Sequence, residues 1–310
     1  MTDVVISEFT APAAVERLSA HARVHYDPTL FEKPDLLAEF AAQARALVVR
    51  NRTQVRGGLL EGAAKLVCIG RQGVGLDNID MAACARRGVT VYPATGANAL
   101  AVAEYAVTAV LMLLRGAYQG SDRVASGTWP RPAFIGRETA GKTLGIVGLG
   151  DIGRQTARRA AALGMEAVAC DPYLDDADPA WALARRVSLG ELLSVADAVS
   201  LHVPLTAETR HLIGPDQFAA MRPGAVIVNT ARGGVVDEAA LVEAMASGGL
   251  GGAALDVYET EPLTAAAAAR FGGLKNLILT PHVAGLTVES EVRVSTMVVD
   301  KVISHLAGLA

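Results

Sequence analysis

Three side chains in the C-terminal part of the sequence have the types needed for acid–base chemistry: Arg232, Glu261 and His282. An arginine guanidinium can bind a carboxylate through two parallel hydrogen bonds. A histidine titrates near neutral pH and can accept a hydroxyl proton. A carboxylate beside the histidine fixes its tautomer and stabilises the imidazolium that forms. Together the three residues form a set suited to a 2-hydroxy acid.

Each of the three residues also has an ordinary structural interpretation. Arg232 lies in a glycine-flanked loop, where arginines are usually solvated surface charges. Glu261 precedes a proline and fits a simple turn, and His282 follows a proline and fits a capping side chain. Taken singly, these interpretations are favoured, because exposed charged side chains need no special explanation. The chemical interpretation therefore depends on whether the fold brings the three together.

A glycine cluster with G-x-G-x-x-G spacing follows the short apolar run of Leu144, Ile146 and Val147. The glycines are Gly148, Gly150 and Gly153. In order, they permit a tight turn, let the backbone approach a pyrophosphate, and let a helix pack close to the strand. The alanine-rich segment 154–163, closed by Gly164, predicts that helix, whose N-terminus attracts anions. A strand, a turn and a helix in this order favour dinucleotide binding.

An aspartate after the next predicted strand indicates which dinucleotide binds. Segment 165–170 has a strand pattern and ends at Asp171, eighteen residues past Gly153. A carboxylate at this distance accepts a hydrogen bond from a ribose 2′-hydroxyl and repels a 2′-phosphate. The alternative is a turn residue before Pro172, which Asp-Pro pairs often form. With the strand–turn–helix–strand frame around it, we predict that the cofactor is NAD.

Alternating strand and helix patterns predict an α/β fold with two parallel-sheet domains. The N-terminal apolar runs, at 4–9, 45–49, 65–69 and 86–92, lack a phosphate-binding glycine signature. We expect them to form a flavodoxin-like substrate domain from residues 1–96 and 287–310, with segment 288–306 as an amphipathic helix. Residues 97–286 form the inserted Rossmann NAD-binding domain.

In the second domain the candidate residues follow the ends of successive predicted strands. His202 ends the strand 198–202, Thr230 and Arg232 follow the strand 225–229, and Asp256 follows 251–255. The strand 277–279 leads to His282. Open α/β sheets bind ligands at the carboxyl ends of their strands. We therefore expect these side chains to lie along one edge of the sheet.

Composition and charge exclude several other classes of protein. The 310 residues carry a formal charge of −4 without basic runs, which argues against nucleic acid. No N-terminal secretory signal is visible, and the apolar stretch 99–114 contains Glu104 and is too short for a bilayer. The three cysteines, Cys68, Cys84 and Cys170, lack metal spacing and suit a reducing compartment. We expect a cytoplasmic protein with no metal, no membrane and no nucleic-acid partner.

The motifs as a whole resemble those of the D-isomer-specific 2-hydroxyacid dehydrogenases over nearly the full chain. They lie at 73–80, 102–104, 148–153, 202–204, 229–237, 255–262 and 280–285. The resemblance implies the proton-transfer and carboxylate-binding roles given above for Arg232, Glu261 and His282. It also implies a homodimer built around the long apolar helix 98–115. The cofactor contacts expected from motif and resemblance together are Gly148, Gly150, Asp151, Ile152, Gly153, Asp171, His202, Pro204, Thr209, Thr230, Ala231, Asp256 and Gly285.

The substrate is less determined than the family. Candidate substrate residues are Arg52, Arg71, Val74, Gly75, Asn98 and Arg131, the last on the irregular arm 126–132. Segments 3–9, 49–53 and 93–96 are similar to the (S)-sulfolactate dehydrogenase branch. That branch implies oxidation of (S)-3-sulfolactate, the D-configured isomer, to 3-sulfopyruvate. Phosphoglycerate dehydrogenases and glycerate or hydroxypyruvate dehydrogenases are the alternatives. If Arg52 and Arg71 are ordinary surface charges, the expected substrate is instead a neutral 2-keto acid.

A different class also stays open, because some proteins similar to this family are NAD-sensing corepressors. An intact fold alone does not demonstrate turnover. The chain lacks the disordered tails and basic stretches that a nuclear partner often shows. An enzyme is therefore the favoured interpretation.

Overall fold

The computed structural model describes residues 2–308, which form two compact units. One unit contains the chain up to Asn98 and again from Leu286, and the other contains Ala99–Gly285. Each unit has its own parallel β-sheet. This confirms the predicted α/β fold class with two parallel sheets. That the first unit binds the substrate stays a prediction.

The first unit contains a five-stranded sheet in the order β2-β1-β3-β4-β5. Its strands are Val4–Ile6 (β1), Val24–Tyr26 (β2), Ala46–Val49 (β3), Cys68–Arg71 (β4) and Thr90–Pro93 (β5). Every neighbouring pair is parallel, and this order is that of flavodoxin-like folds.

Helices cover both faces of the first sheet. They are Pro12–Ser19 (α1), Pro34–Ala41 (α2), Gly57–Gly62 (α3), Met81–Arg86 (α4) and the chain's last helix Val288–Leu306 (α12). Successive strand residues point to opposite faces. Val4 therefore packs in a cluster with residues of α1 and α12, such as Val298, whereas Val5 packs with residues of α2 and α3, such as Leu37 and Leu60.

The second unit contains a seven-stranded sheet in the order β12-β11-β10-β9-β6-β7-β8. Its strands are Thr143–Val147 (β6), Glu166–Cys170 (β7), Arg185–Arg186 (β8), Ala198–Leu201 (β9), Val226–Asn229 (β10), Gly252–Leu255 (β11) and Leu277–Leu279 (β12). All pairs are parallel. The strand order reverses between β6 and β9, and open sheets bind ligands at such a point.

The second unit's helices are Ala99–Arg115 (α5), Ser121–Ala125 (α6), Asp151–Ala162 (α7), Leu189–Val195 (α8), Pro215–Ala220 (α9), Glu238–Ala246 (α10) and Ala265–Ala268 (α11). Helix α5 packs its buried face against α7 and against strands β10 and β11, whose residues Val228 and Ala254 lie in the same core cluster. Within residues 2–308 no single helix has the length and apolar composition to cross a membrane. Among the described residues, α5 and the segment Ala117–Ala125, which are bent by 64° to each other, meet both requirements together.

Several local predictions differ from the structure. Residues 81–86 form a helix, because the Asp80 side chain accepts a hydrogen bond from Ala83 N and caps it, so the strand expected at 86–92 begins only at Thr90. Strand β4 continues through Arg71, which pairs with Pro93 in β5. Helix α7 begins at Asp151, three residues earlier than expected.

Candidate functional site

The turn between β6 and α7 contains the three glycines. A Cβ atom on Gly148, which has φ of 91°, would lie 2.6 Å from the carbonyl oxygen of His202. A Cβ atom on Gly153 would lie 2.2 Å from the carbonyl oxygen of Gly148. A Cβ atom on Gly150 would meet nothing within 4 Å. Packing of the chain itself therefore requires the outer glycines, whereas the middle one leaves open space that suits a pyrophosphate against the backbone.

The Asp171 carboxylate contacts the same glycine loop. Its Oδ2 accepts a hydrogen bond of 2.9 Å from Leu149 N, and its Oδ1 accepts one of 3.0 Å from Tyr173 N. Asp171 thus forms the turn that Asp-Pro pairs often form, and it also contacts the glycine loop between β6 and α7. Asp151 and Ile152 are the first two residues of α7, where backbone N–H groups have no partner within the helix.

Two buried polar atoms follow the adjacent strands β9 and β10. Within residues 2–308, neither Nδ1 of His202 nor Oγ1 of Thr230 has a hydrogen-bond partner. The other ring nitrogen of His202 lies 2.9 Å from Ser200 Oγ, and burial lowers the pKa of His202 to about 3, so the imidazole is neutral. Buried polar atoms are normally hydrogen-bonded. These two fit contacts to a polar cofactor.

The remaining residues expected at the cofactor show local structural roles. The Thr209 hydroxyl donates to Pro204 O at 2.6 Å and accepts from Thr206 N at 2.7 Å, which closes a turn. Ala231 is 7% exposed, and its N–H donates to Asn229 Oδ1 at 3.0 Å. Gly285 ends the second unit. Contact of these residues with NAD stays a prediction.

Arg232 lies on a loop whose backbone is held by the side chain of Asn229. Asn229 Nδ2 donates to Arg232 O at 3.1 Å, and Arg232 Nη1 donates to Ala231 O at 2.6 Å. A Cβ atom on the next residue, Gly233, would lie 1.6 Å from Tyr258 O. The Arg232 loop therefore packs backbone to backbone against the segment that leads to Glu261.

Glu261 and His282 are hydrogen-bonded partners. His282 Nδ1 lies 2.8 Å from Glu261 Oε2, and Tyr258 N donates to Glu261 Oε1 at 3.1 Å. Burial acts to raise the pKa of Glu261, but the hydrogen bond from His282 and the charges of His282 and Arg232 outweigh it and lower the pKa below its usual value. The carboxylate is therefore ionised at neutral pH, and His282 keeps Nε2 for another partner.

The buried carboxylate of Asp256 organises the loop that contains His282. Asp256 is 1% exposed. Its oxygens accept hydrogen bonds from Val283 N at 2.8 Å, Ala284 N at 2.8 Å and Thr280 Oγ1 at 2.6 Å. Asp256 therefore has a structural role within the chain itself. Its expected contact with the nicotinamide amide stays a prediction.

Tyr258 has a structural role at the site that was not predicted from the sequence. Its N–H contacts Glu261, and its hydroxyl donates to Thr280 O at 2.9 Å. The tyrosine thus joins the two loops that contain Glu261 and His282. In the sequence, Tyr258 lies three residues before Glu261 and inside the motif at 255–262, but neither signal gave it a role.

Arg52 lies in the first unit, three residues past β3. Its guanidinium carbon is 4.1 Å from the centre of the Phe31 ring, and Nη1 is 3.8 Å from Glu32 Oε1. Its backbone N–H donates to Glu8 Oε2 at 3.2 Å, and Glu8 also accepts from Thr53 N at 3.0 Å. The side chain remains 60% exposed. Arg52 therefore lies on an ordered loop with its charge accessible.

The other substrate candidates differ in exposure. Arg71 is 9% exposed and donates to Gln72 O at 3.0 Å, whereas Val74, next to Gly75, is 40% exposed. The buried Asn98 Oδ1 has no hydrogen-bond partner within the described residues. In the second unit, Arg131 is exposed at the start of a short 3₁₀ helix. The described part of the chain holds no His, Cys, Asp and Glu cluster suited to a metal ion.

The sequence profile of the "D-isomer specific 2-hydroxyacid dehydrogenase, NAD binding domain" family matches residues 107–284. The chain belongs to this family of D-2-hydroxyacid dehydrogenases. It is accordingly an NAD-dependent oxidoreductase, and its second unit holds the NAD-binding domain. This confirms the resemblance, the enzyme class and the cofactor expected from the sequence.

Individual relatives act on different 2-hydroxy acids. The chain is 50% identical over 303 residues to an (S)-sulfolactate dehydrogenase of Chromohalobacter salexigens, covering 97% of both chains. It is 37% identical to a D-3-phosphoglycerate dehydrogenase of Archaeoglobus fulgidus, covering 99% of this chain but 58% of that protein. The structure of a D-lactate dehydrogenase from Aquifex aeolicus, complexed with NAD and lactic acid, superposes with a TM-score of 0.82 at 27% identity, covering 99% of this chain and 96% of that one.

Proposed function

We propose that the protein transfers hydride between (S)-3-sulfolactate and NAD, with 3-sulfopyruvate as the oxidised product. The observation that carries the chemistry is the 2.8 Å contact of His282 with the ionised Glu261. The similarity to an (S)-sulfolactate dehydrogenase over 97% of both chains supports the choice of substrate.

In the proposed reaction His282 accepts the C2 hydroxyl proton at Nε2, because Nδ1 is held by Glu261. Glu261 stabilises the imidazolium that results. Arg232 binds the substrate carboxylate through its guanidinium. Bound NAD supplies the hydride acceptor for the C2 hydrogen, so that alcohol and NAD⁺ give ketone, NADH and one proton.

The C3 anion is assigned to Arg52 in this proposal. Stacking on Phe31 limits the conformations of the guanidinium, which lowers the entropy lost when an anion binds. Arginine also binds phosphate through two hydrogen bonds. 3-Phosphoglycerate is therefore the second candidate substrate, and the Archaeoglobus relative supports it.

We also propose that the enzyme is a cytoplasmic homodimer. Support for the dimer comes from the segment between α5 and β6, where Tyr118, Trp129 and Ile135 are 65%, 76% and 83% exposed. Contiguous exposed apolar patches often mark protein–protein interfaces. The free cysteines support a reducing compartment. Light scattering of the purified protein tests the dimer.

The substrate proposal is tested with Arg52→Ala on sulfolactate, 3-phosphoglycerate, glycerate and D-lactate. Loss of a charge-assisted pair typically costs about 2–5 kcal/mol, which corresponds to about 30-fold or more in kcat/KM. We expect this loss for the two C3 anions and much smaller losses for glycerate and lactate. Arg17→Ala is the matched control, since Arg17 is 57% exposed and pairs with Asp300. Equal losses on all four substrates would remove Arg52 from the substrate site.

The proton-transfer role is tested with His282→Ala. A positioned general base contributes about 100-fold to 10,000-fold, so kcat should fall by that factor while NADH still binds. Near-normal kcat would show that another group accepts the proton. A wild-type protein that binds NADH tightly and turns over no D-2-hydroxy acid would favour the NAD-sensing alternative.

A further inference from the structure

Tyr105, on helix α5, is connected by hydrogen bonds to the loop that contains His282. Its hydroxyl lies 2.5 Å from Thr280 Oγ1. Thr280 Oγ1 in turn donates to Asp256 Oδ1 at 2.6 Å. Asp256 holds the two peptide N–H groups that directly follow His282. An unbroken chain of side chains therefore leads from the helix to the loop of the proposed base.

The proton positions in this chain follow from the number of donors. Thr280 has one hydroxyl proton, which it donates to the Asp256 carboxylate. The oxygen of Thr280 therefore accepts the proton of Tyr105. Burial raises the pKa of Tyr105, so the phenol keeps that proton at neutral pH. The direction of donation runs from Tyr105 to Thr280 to Asp256.

The backbone at His282 needs such support. Its φ is 57°, in the left-handed region. For a residue other than glycine this conformation costs about 1–2 kcal/mol, and it persists only where the surrounding structure holds it. The Asp256 carboxylate supplies that restraint on the C-terminal side of His282. Thr280 supplies it on the N-terminal side, since its carbonyl oxygen accepts from His282 N at 3.0 Å.

We propose that Tyr105 and Thr280 are positioning residues that, through Asp256, hold His282 in register with Glu261 for proton transfer. The inference rests on the proposed role of His282 as the proton acceptor. It adds a part for helix α5, which contributes none of the residues proposed to touch substrate or cofactor. Because a small displacement of a general base lowers turnover more than binding, the effect should appear in kcat.

The test compares Tyr105→Phe, Thr280→Val, the double variant and Thr280→Ser by steady-state kinetics and thermal unfolding. Tyr105→Phe should lower kcat about 5-fold to 20-fold, within the range expected for misplacement of a catalytic group, with KM for the 2-hydroxy acid and affinity for NADH within about 2-fold of wild type. Thr280→Val should lower kcat further, and Thr280→Ser should restore it. The double variant should be no slower than Thr280→Val, since both changes break one chain.

Tyr92→Phe is the matched control, because its hydroxyl also forms one side-chain hydrogen bond, of 2.9 Å to His305. It should leave kcat unchanged. A wild-type kcat in Tyr105→Phe would overturn the inference. A double variant whose loss of kcat equals the product of the two single losses would also overturn it. Neither result would change the role of His282. A fall in thermal stability without a change in kcat at 25 °C would also overturn the inference. If His282→Ala did not lower kcat, the role of His282 in the proposed function would itself be wrong.

Discussion

Glu238 and Glu259 each accept a hydrogen bond from the backbone N–H of the other. Glu238 Oε1 accepts from Glu259 N at 2.7 Å, and Glu259 Oε1 accepts from Glu238 N at 3.2 Å. Glu238 begins the helix that follows the Arg232 loop, and Glu259 lies two residues before Glu261. The reciprocal pair therefore fixes the loop of Arg232 against the loop of Glu261.

Replacement of Glu238 should lower both stability and turnover. Glu238 is 3% exposed, burial raises its pKa, and Arg270 Nη1 lies 3.2 Å from its Oε2. Loss of a buried hydrogen-bond partner costs about 1–3 kcal/mol, so Glu238→Ala should lower the unfolding free energy by that amount and reduce kcat/KM. Glu238→Gln keeps an accepting oxygen and should lose less. Glu243→Ala, exposed on the same helix, is the control for urea unfolding and kinetics. Wild-type stability in Glu238→Ala would show that the pair is not needed.

Gly150→Ala should damage cofactor binding without damaging the fold. An added Cβ meets no protein atom within 4 Å. Against a bound pyrophosphate, however, an extra methyl group is an overpacking cost of about 1–3 kcal/mol, which weakens NADH affinity by about 30-fold in the middle of that range.

Fluorescence titration with NADH measures this effect. Gly153→Ala should instead lower the melting temperature, because its Cβ would lie 2.2 Å from Gly148 O. Gly190→Ala, with open space around it, controls for the added methyl group. Unchanged NADH affinity in Gly150→Ala would place the pyrophosphate elsewhere.

Asp171→Asn should reduce the preference for NAD over NADP. The amide keeps an oxygen that can accept from Leu149 N and so preserves the loop, but it removes the charge that repels a 2′-phosphate. Wild type should favour NAD in kcat/KM, and the variant should gain relative activity with NADP. Asp175→Asn, a turn residue that accepts from Ala177 N, should leave the ratio unchanged. An unchanged ratio in Asp171→Asn would separate Asp171 from the ribose.

His202 should make stability depend on pH. Its pKa falls from 6.5 to about 3 on folding, because burial disfavours the imidazolium. Between these values the unfolded chain takes up a proton that the folded chain does not, so stability falls as the pH falls below 6.5. The contribution approaches about 1.4 kcal/mol per pH unit.

Urea unfolding at several pH values from 7.5 to 5 measures this contribution. His202→Gln should flatten the decline, whereas His21→Gln, at an exposed position, should retain it. An equally steep decline in His202→Gln would assign it to other groups.

The fold class followed from the sequence because strand periodicity and glycine spacing are local signals. The last helix, Val288–Leu306, was expected with the same bounds, since an amphipathic pattern marks it. Strand β2 was missed because its three residues lack an apolar run. The contacts of Glu238 with Glu259 and of Tyr105 with Thr280 join residues 21 and 175 positions apart. Such pairings depend on tertiary packing, and no spacing rule in the sequence contains them.

The strand that precedes His282 lies at the edge of the second sheet. Within the described residues 2–308, β12 pairs with β11 alone, and Leu279 on it is 38% exposed. Edge segments with few buried contacts open locally at lower free energy than the core of a domain. On warming we therefore expect this strand, and with it the proposed base, to open while the inner strands stay hydrogen-bonded. The enzyme should therefore lose activity through local opening at this edge of the sheet at temperatures below global unfolding. The backbone amides of β12 should exchange with solvent before those of β6 and β9.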